Sequence, residues 1–225
     1  MARLLIFDFD GVLADSEVLA NAVLAEAITE LGVRTSWEDS MRLYMGKRLH
    51  EVIAAVEATI GRAVPAHFTE TFQKRTFERF RAELRMVEGA RAFLEAFPDV
   101  PRCIASSSTP DRLALCLELL DLEDLFGANV FSALQVARGK PYPDIFLFAA
   151  EQMGVEPRDA LVLEDSAGGV QAAVAAGMTV IGLLAASHIG DGHGERLRAA
   201  GAHYIATTFA EAEQISRRLL KPPGD

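Results

Sequence analysis

Short apolar runs without helical spacing, each closed by acidic, polar or glycine residues and separated by helical patterns, constrain this chain more than any other feature. The first covers residues 4–9; others cover 102–105, 160–163 and 179–182, with weaker ones at 129–131 and 203–205. Runs of this length and character suit strands buried on both faces. Between them, helical periodicity marks 112–120, 143–153, 169–176, 195–200 and 210–220. Strand-helix alternation of this kind predicts an α/β fold, a Rossmann-like parallel sheet with helices on both faces.

One stretch breaks the alternation. Residues 16–84 carry helical periodicity and no convincing strand, which predicts an all-helical domain at 16–84 inserted into a sheet domain formed by 1–15 and 85–225. Ala20, Val23, Leu24, Ala27, Ile28 and Leu31 stripe one helix that stops at Gly32, and Ser36 with Asp39 has the spacing of a capping box for a second. Leu49, Val52, Ile53, Val56 and Ile60 stripe a third, and Phe68, Phe72, Phe80 and Leu84 a fourth. These stripes read as bundle core. Gly11, residues 14–17 and residues 84–89, where the insert begins and ends, are the expected hinges.

Half of the 225 residues are hydrophobic, enough for a sizeable core. The 22 Lys and Arg against 32 Asp and Glu leave a formal charge of −10, a field that repels nucleic-acid backbones and anionic lipid heads. No nucleic-acid or membrane partner is expected. Cys103 and Cys116 have no metal-ligand spacing and sit in apolar stretches, so both are expected to be reduced core residues of a cytoplasmic protein. Asp8 and Asp10 interrupt the N-terminal apolar run before a signal-peptide core can form. A monomer is expected, with a weak dimer as the alternative.

The first run ends in Asp8-Phe9-Asp10-Gly11, and strand alternation would aim both aspartates the same way. Two carboxylates about 4 Å apart repel by about 4 kcal/mol at an effective dielectric near 20, so the pair calls for a cation or a shifted proton. A second acidic pair, Glu164-Asp165, closes another buried run. If the two strands are neighbours, all four acids converge, and oxygen ligands of this kind suit Mg²⁺ far better than Zn²⁺. Ser106 and Ser107 end a third run before a helix, where hydroxyls and free N–H groups can hold phosphate oxygens. Lys140, in a loop with Pro141 and Pro143, would supply the fixed positive charge that a transferring phosphoryl group requires. None of His50, His67, His188, His193 and His203 has ligand spacing with another, and each reads as structural or exposed.

In this order and spacing, Asp8-Phe9-Asp10-Gly11-Val12-Leu13-Ala14-Asp15-Ser16, the serine after Ile104-Ala105, Gly139-Lys140-Pro141 with Pro143-Asp144, and Leu163-Glu164-Asp165-Ser166 with Gly169 resemble the four motifs of the haloacid dehalogenase superfamily. The helical insert resembles the cap of its beta-phosphoglucomutase and phosphoglycolate phosphatase branch. Residues 15–18 and 46–53 are also similar to bacterial sugar-phosphate phosphatases of the 6-phosphogluconate type. The resemblance implies a Mg²⁺-dependent phosphoric monoester hydrolase acting on a small phosphorylated metabolite. Asp8 would be the nucleophile that forms an aspartyl phosphate, and Asp10 the general acid and base. Mg²⁺ would be held by the Asp8 carboxylate, the Asp10 carbonyl and Asp165, with Glu164 in support. Ser106, Ser107 and Lys140 would hold the phosphoryl oxygens, and Gly46, Lys47 and Arg48 would reach the substrate from the insert. The alternative within the branch is a hexose-phosphate mutase, but Ala20 and Leu49 stand where the resemblance calls for histidine and arginine. A non-catalytic descendant would be expected to have lost Asp8, Asp10, Lys140 or Asp165, and all four are present.

Overall fold

The computed structural model describes residues 2–44 and 49–220. Among them all six apolar runs form strands: β1 (Leu4–Phe7), β2 (Arg102–Ser106), β3 (Val130–Ser132), β4 (Ala160–Glu164), β5 (Thr179–Leu183) and β6 (Tyr204–Ala206). They make one parallel sheet in the order β3-β2-β1-β4-β5-β6. From β1 the chain moves outward through β2 to β3, then returns across β1 to β4 and continues the other way. The carboxyl ends of β1 and β4 therefore flank the point where the winding reverses, the usual place for a ligand in an open α/β sheet.

The chain divides into two compact units, one of residues 1–15 with 85–225 and one of residues 16–84. The second holds α1 (Glu17–Glu30), α2 (Trp37–Tyr44), α3 (Leu49–Ile60) and α4 (Phe68–Glu83). Leu24, Ala27, Ile28, Tyr44, Val52, Val56 and Phe68 form its core, so the stripes read from the sequence are its buried faces. Ser36 and Asp39 make the reciprocal cap of α2: the Asp39 N–H donates to Ser36 Oγ at 3.1 Å, and the Ser36 N–H to Asp39 Oδ2 at 3.4 Å.

The sheet unit adds α5 (Ala90–Glu95), α6 (Pro110–Leu119), α7 (Glu123–Phe126), α8 (Asp144–Gln152), α9 (Ala167–Ala175), α10 (His193–Ala199) and α11 (Phe209–Leu219). Period-two alternation sends Leu4, Ile6, Cys103, Ala105, Ala160 and Val162 to one face, against Ile145, Phe146 and Ala149 of α8 and Val170 and Ala173 of α9. Phe7 points to the other face. Its ring meets Phe93 of α5 and Phe126 of α7 edge-on, with 5.9 Å between centroids in each pair, and Phe93 also packs on Phe209 of α11 at 5.3 Å. Each such side chain, fully buried, contributes about 1.5–3 kcal/mol. With both faces covered, the polar groups that end β1 and β4 are left to the loops at the sheet's carboxyl edge.

Candidate active site

Strand pairing brings the two acidic segments together. Phe7 pairs with Leu163, and the Asp8 N–H donates to the Leu163 carbonyl at 3.0 Å, so Asp8 emerges beside Glu164. Asp8, Glu164 and Asp165 are all buried, and one carboxylate oxygen from each lies within 4.8 Å of the others. Lys140 reaches into this group from the loop before α8. Its Nζ donates to Asp8 Oδ1 at 2.6 Å and to Glu164 Oε1 at 2.7 Å, and lies 5.0 Å from the centre of the Phe146 ring. The Lys140-Pro141 peptide is cis, and Arg138 braces the loop by a two-bonded pair with Asp144 at 2.8 and 3.1 Å.

Both oxygens of Glu164 accept hydrogen bonds. Oε1 takes Lys140, while Oε2 accepts from the Ser166 N–H at 2.8 Å and from Ser166 Oγ at 2.9 Å. Ser166 in turn caps α9, accepting from the Gly169 N–H at 3.0 Å. A Cβ on Gly169 would sit 1.6 Å from Glu164 Oε1, which explains the glycine. Glu164 thus braces Lys140 while remaining one of the three carboxylates that face a common point with Asp8 and Asp165.

Burial pushes the Asp8 carboxyl well above the usual carboxylate range; Lys140 opposes this, and Glu164 and Asp165 reinforce it. Burial acts against the Lys140 ammonium, but Asp8 and Glu164 outweigh it and hold the group above an ordinary lysine. Three carboxylates and one ammonium leave two formal negative charges in a buried site, an imbalance that is costly unless a cation neutralises it. An all-oxygen donor set short of two positive charges fits a hard divalent metal ion.

The fourth carboxylate has other partners. β1 ends at Phe7, and the chain turns at Gly11 (φ +80°), whose N–H donates to the Ala14 carbonyl at 2.8 Å, so strand alternation does not extend to Asp10. Asp10 accepts from Arg112 Nη2 of α6 through Oδ1 and from Ser108 Oγ through Oδ2, both at 2.5 Å. Ser108 is a hub: its N–H donates to Ser106 Oγ at 3.0 Å, and its carbonyl accepts from Ser132 Oγ at 2.7 Å. Ser106 is buried at the end of β2, and Ser107 is exposed. Gly46, Lys47 and Arg48 lie outside the described residues.

Four residues at this edge carry no site role in the sequence: Ser108 and Arg112, and His188 and His193, which read there as structural or exposed. The structure places both histidines against Asp165. His188 Nε2 lies 3.1 Å from Asp165 Oδ2, and His193 Nε2 lies 2.5 Å from the Asp165 carbonyl. Only Arg112 carried a signal. A cation in the first turn of a helix opposes the macrodipole and calls for a nearby acid.

The chain is similar to the 6-phosphogluconate phosphatase of Escherichia coli, 29% identical over 93% of this chain and 90% of that one. It is 36% identical to the phosphorylated carbohydrates phosphatase of Thermotoga maritima, over 77% of this chain and 81% of the relative. Among solved structures, a conserved haloacid dehalogenase-like protein of Agrobacterium tumefaciens superposes with a TM-score of 0.86 at 34% identity, covering 97% of this chain and 99% of that one. Residues 2–177, which carry β1 through α9 and every acidic residue of the site, match the family model for haloacid dehalogenase-like hydrolases, and the chain belongs to that family.

Proposed function

We propose that this chain is a Mg²⁺-dependent phosphatase that hydrolyses a sugar phosphate or sugar-acid phosphate through an aspartyl phosphate on Asp8. The observation that carries the reading is the buried, charge-deficient group of Asp8, Glu164, Asp165 and Lys140 at the winding reversal of the sheet. Names of relatives that act on 6-phosphogluconate and on phosphorylated carbohydrates support the substrate class. They favour hydrolysis over isomerisation.

Asp8, Asp165 and the Asp10 carbonyl would hold the metal ion, with Glu164 in support. Bound there, Mg²⁺ supplies positive charge to the phosphoryl oxygens and offsets the repulsion between an anionic substrate and the carboxylates. Lys140 holds one Asp8 oxygen and fixes its carboxylate in the site. An Asp8 oxygen attacks phosphorus, the ester P–O bond breaks, and Asp10 gives its proton to the leaving alkoxide. Asp10 then takes a proton from water as the water oxygen attacks phosphorus; the P–O bond to Asp8 breaks, free phosphate leaves, and Asp8 is restored. Arg112 and Ser108 fix the Asp10 carboxylate between these roles. Ser106 and the N–H groups at the end of β2 offer donors to the remaining phosphoryl oxygens.

The test is hydrolysis of an aryl phosphate with Mg²⁺, with chelator, and by Asp8→Asn. The proposal expects activity only in the first; equal rates in all three would overturn it. Glucose 6-phosphate and 6-phosphogluconate should release phosphate, whereas isomer formed from beta-glucose 1-phosphate without free phosphate would establish the mutase instead.

A further inference from the structure

Resting on the metal site proposed above, we infer that His188 is a positioning residue for that site: it takes one oxygen of Asp165 and presents the other to the cation. The His188 side chain is only 2% exposed although it stands in the loop between β5 and α10, a segment without regular structure. Its Nε2–H donates to Asp165 Oδ2 at 3.1 Å, since a carboxylate oxygen can only accept.

Three independent contacts seat the ring there. Asp15 Oδ1 accepts from the Ser187 N–H at 3.1 Å and from Ser187 Oγ at 2.8 Å, tying the residue before His188 to the loop that follows β1. His193 anchors the far end of the segment, and its tautomer follows from its partners. Arg196 Nη2 lies 3.0 Å from His193 Nδ1 and has only hydrogens to offer, so Nδ1 accepts. Nε2 therefore carries the proton and donates to the Asp165 carbonyl. The two imidazole rings meet edge to face, 6.0 Å apart. Gly11 closes the cradle on the remaining side. A Cβ there would lie 1.9 Å from Asp165 Oδ2 and 2.8 Å from His188 Cε1, so Asp165 and His188 are fitted against bare backbone.

Asp165 is thus held at both its carbonyl and its carboxylate by a segment that contributes no carboxylate to the site. Residues that orient a ligating carboxylate in this way typically govern metal affinity by about 10- to 100-fold.

The test is Mn²⁺ binding to the full chain, read from the free-ion signal in electron paramagnetic resonance and from Mg²⁺ competition, without substrate. His188→Ala and His188→Asn should each weaken Mn²⁺ binding by about tenfold or more, whereas His188→Gln, which places an N–H donor near the Nε2 position, should stay within about threefold of the parent. The Asn and Gln pair separates positioning from mere packing, since both are polar and differ by one methylene, and it carries the test if the alanine variant does not fold. Equal Mn²⁺ binding by the Asn and Gln variants would overturn the inference. Asp165→Asn is the control: if it loses Mn²⁺ while His188→Asn does not, the metal site stands and the role of His188 falls. If Asp165→Asn binds Mn²⁺ like the parent, the metal site fails and this inference with it.

Discussion

The two units of the chain treat charge in opposite ways. In the helical unit, Arg42 pairs with Asp39, Arg75 with Glu30 and Arg79 with Glu26, at 2.7–2.9 Å and all in contact with solvent. Among the described residues its buried polar groups are neutral, as where Ser40 Oγ donates to Asn21 Oδ1 at 2.9 Å. In the sheet unit, Asp8, Glu164, Asp165 and Lys140 are withdrawn from water with the acids in excess. Exposed pairs contribute little and are dispensable. A buried, unbalanced group costs stability, so its presence points to chemistry rather than to folding.

The sharpest way to break this contrast is Lys140→Met, which leaves three buried acids with no cation among them. Urea denaturation in chelator should show a loss of about 3–5 kcal/mol, partly recovered by Mg²⁺. An unchanged midpoint would mean that the group is no more coupled than a surface pair. Arg112→Met tests the balanced pair at the same edge. Releasing Asp10 should slow hydrolysis of an alkyl phosphate by about 100-fold, since general acid catalysis is worth at least that, and an aryl phosphate much less because its leaving group needs no proton. Equal losses on both would show that Arg112 does not act through Asp10.

Burial of neutral groups gives a third, smaller effect. Burial pushes the Cys116 thiol up to about 12, with the Asp10 charge adding to the rise, and Cys103 higher still. Both thiols should resist a thiol reagent at pH 8 until the protein unfolds. Because the unfolded thiols ionise near pH 9 while the folded ones keep their protons, stability should fall as pH rises from 9 towards 12, by about 1 kcal/mol per thiol at pH 10. Replacing both cysteines with alanine should flatten that slope; a slope unchanged by the replacement would assign it elsewhere. Smallest of all, Arg79→Ala in the helical unit should shift stability by less than about 1 kcal/mol in thermal melts.

Much of the fold was legible because burial on both faces leaves a plain mark. Six apolar runs became six strands, and the stripes at Leu24, Ile28, Val52, Val56 and Phe68 became the buried faces of α1, α3 and α4. Helices α5 and α7, six and four residues long, are too short to show a period and were missed. In the site, adjacent acids at the ends of two apolar runs were readable, and parallel pairing of β1 with β4 brings them together. Where Asp10 turns was not readable, because that depends on where β1 stops and on an arginine 102 positions away. His188 and His193 left no trace either. Their contacts with Asp165 arise only once the segment after β5 folds back, and nothing in the spacing of histidines reports that return.

The central claim is that Asp8 carries the phosphoryl group between two half-reactions, and rapid acid quenching during turnover with Mg²⁺ and a phosphomonoester, followed by peptide mass spectrometry, tests it most directly. The account predicts a peptide heavier by one phosphoryl group, modified at Asp8 and absent from Asp8→Asn and from chelated protein. Turnover at full rate by Asp8→Asn, or a phosphoryl group found on a different residue, would contradict it.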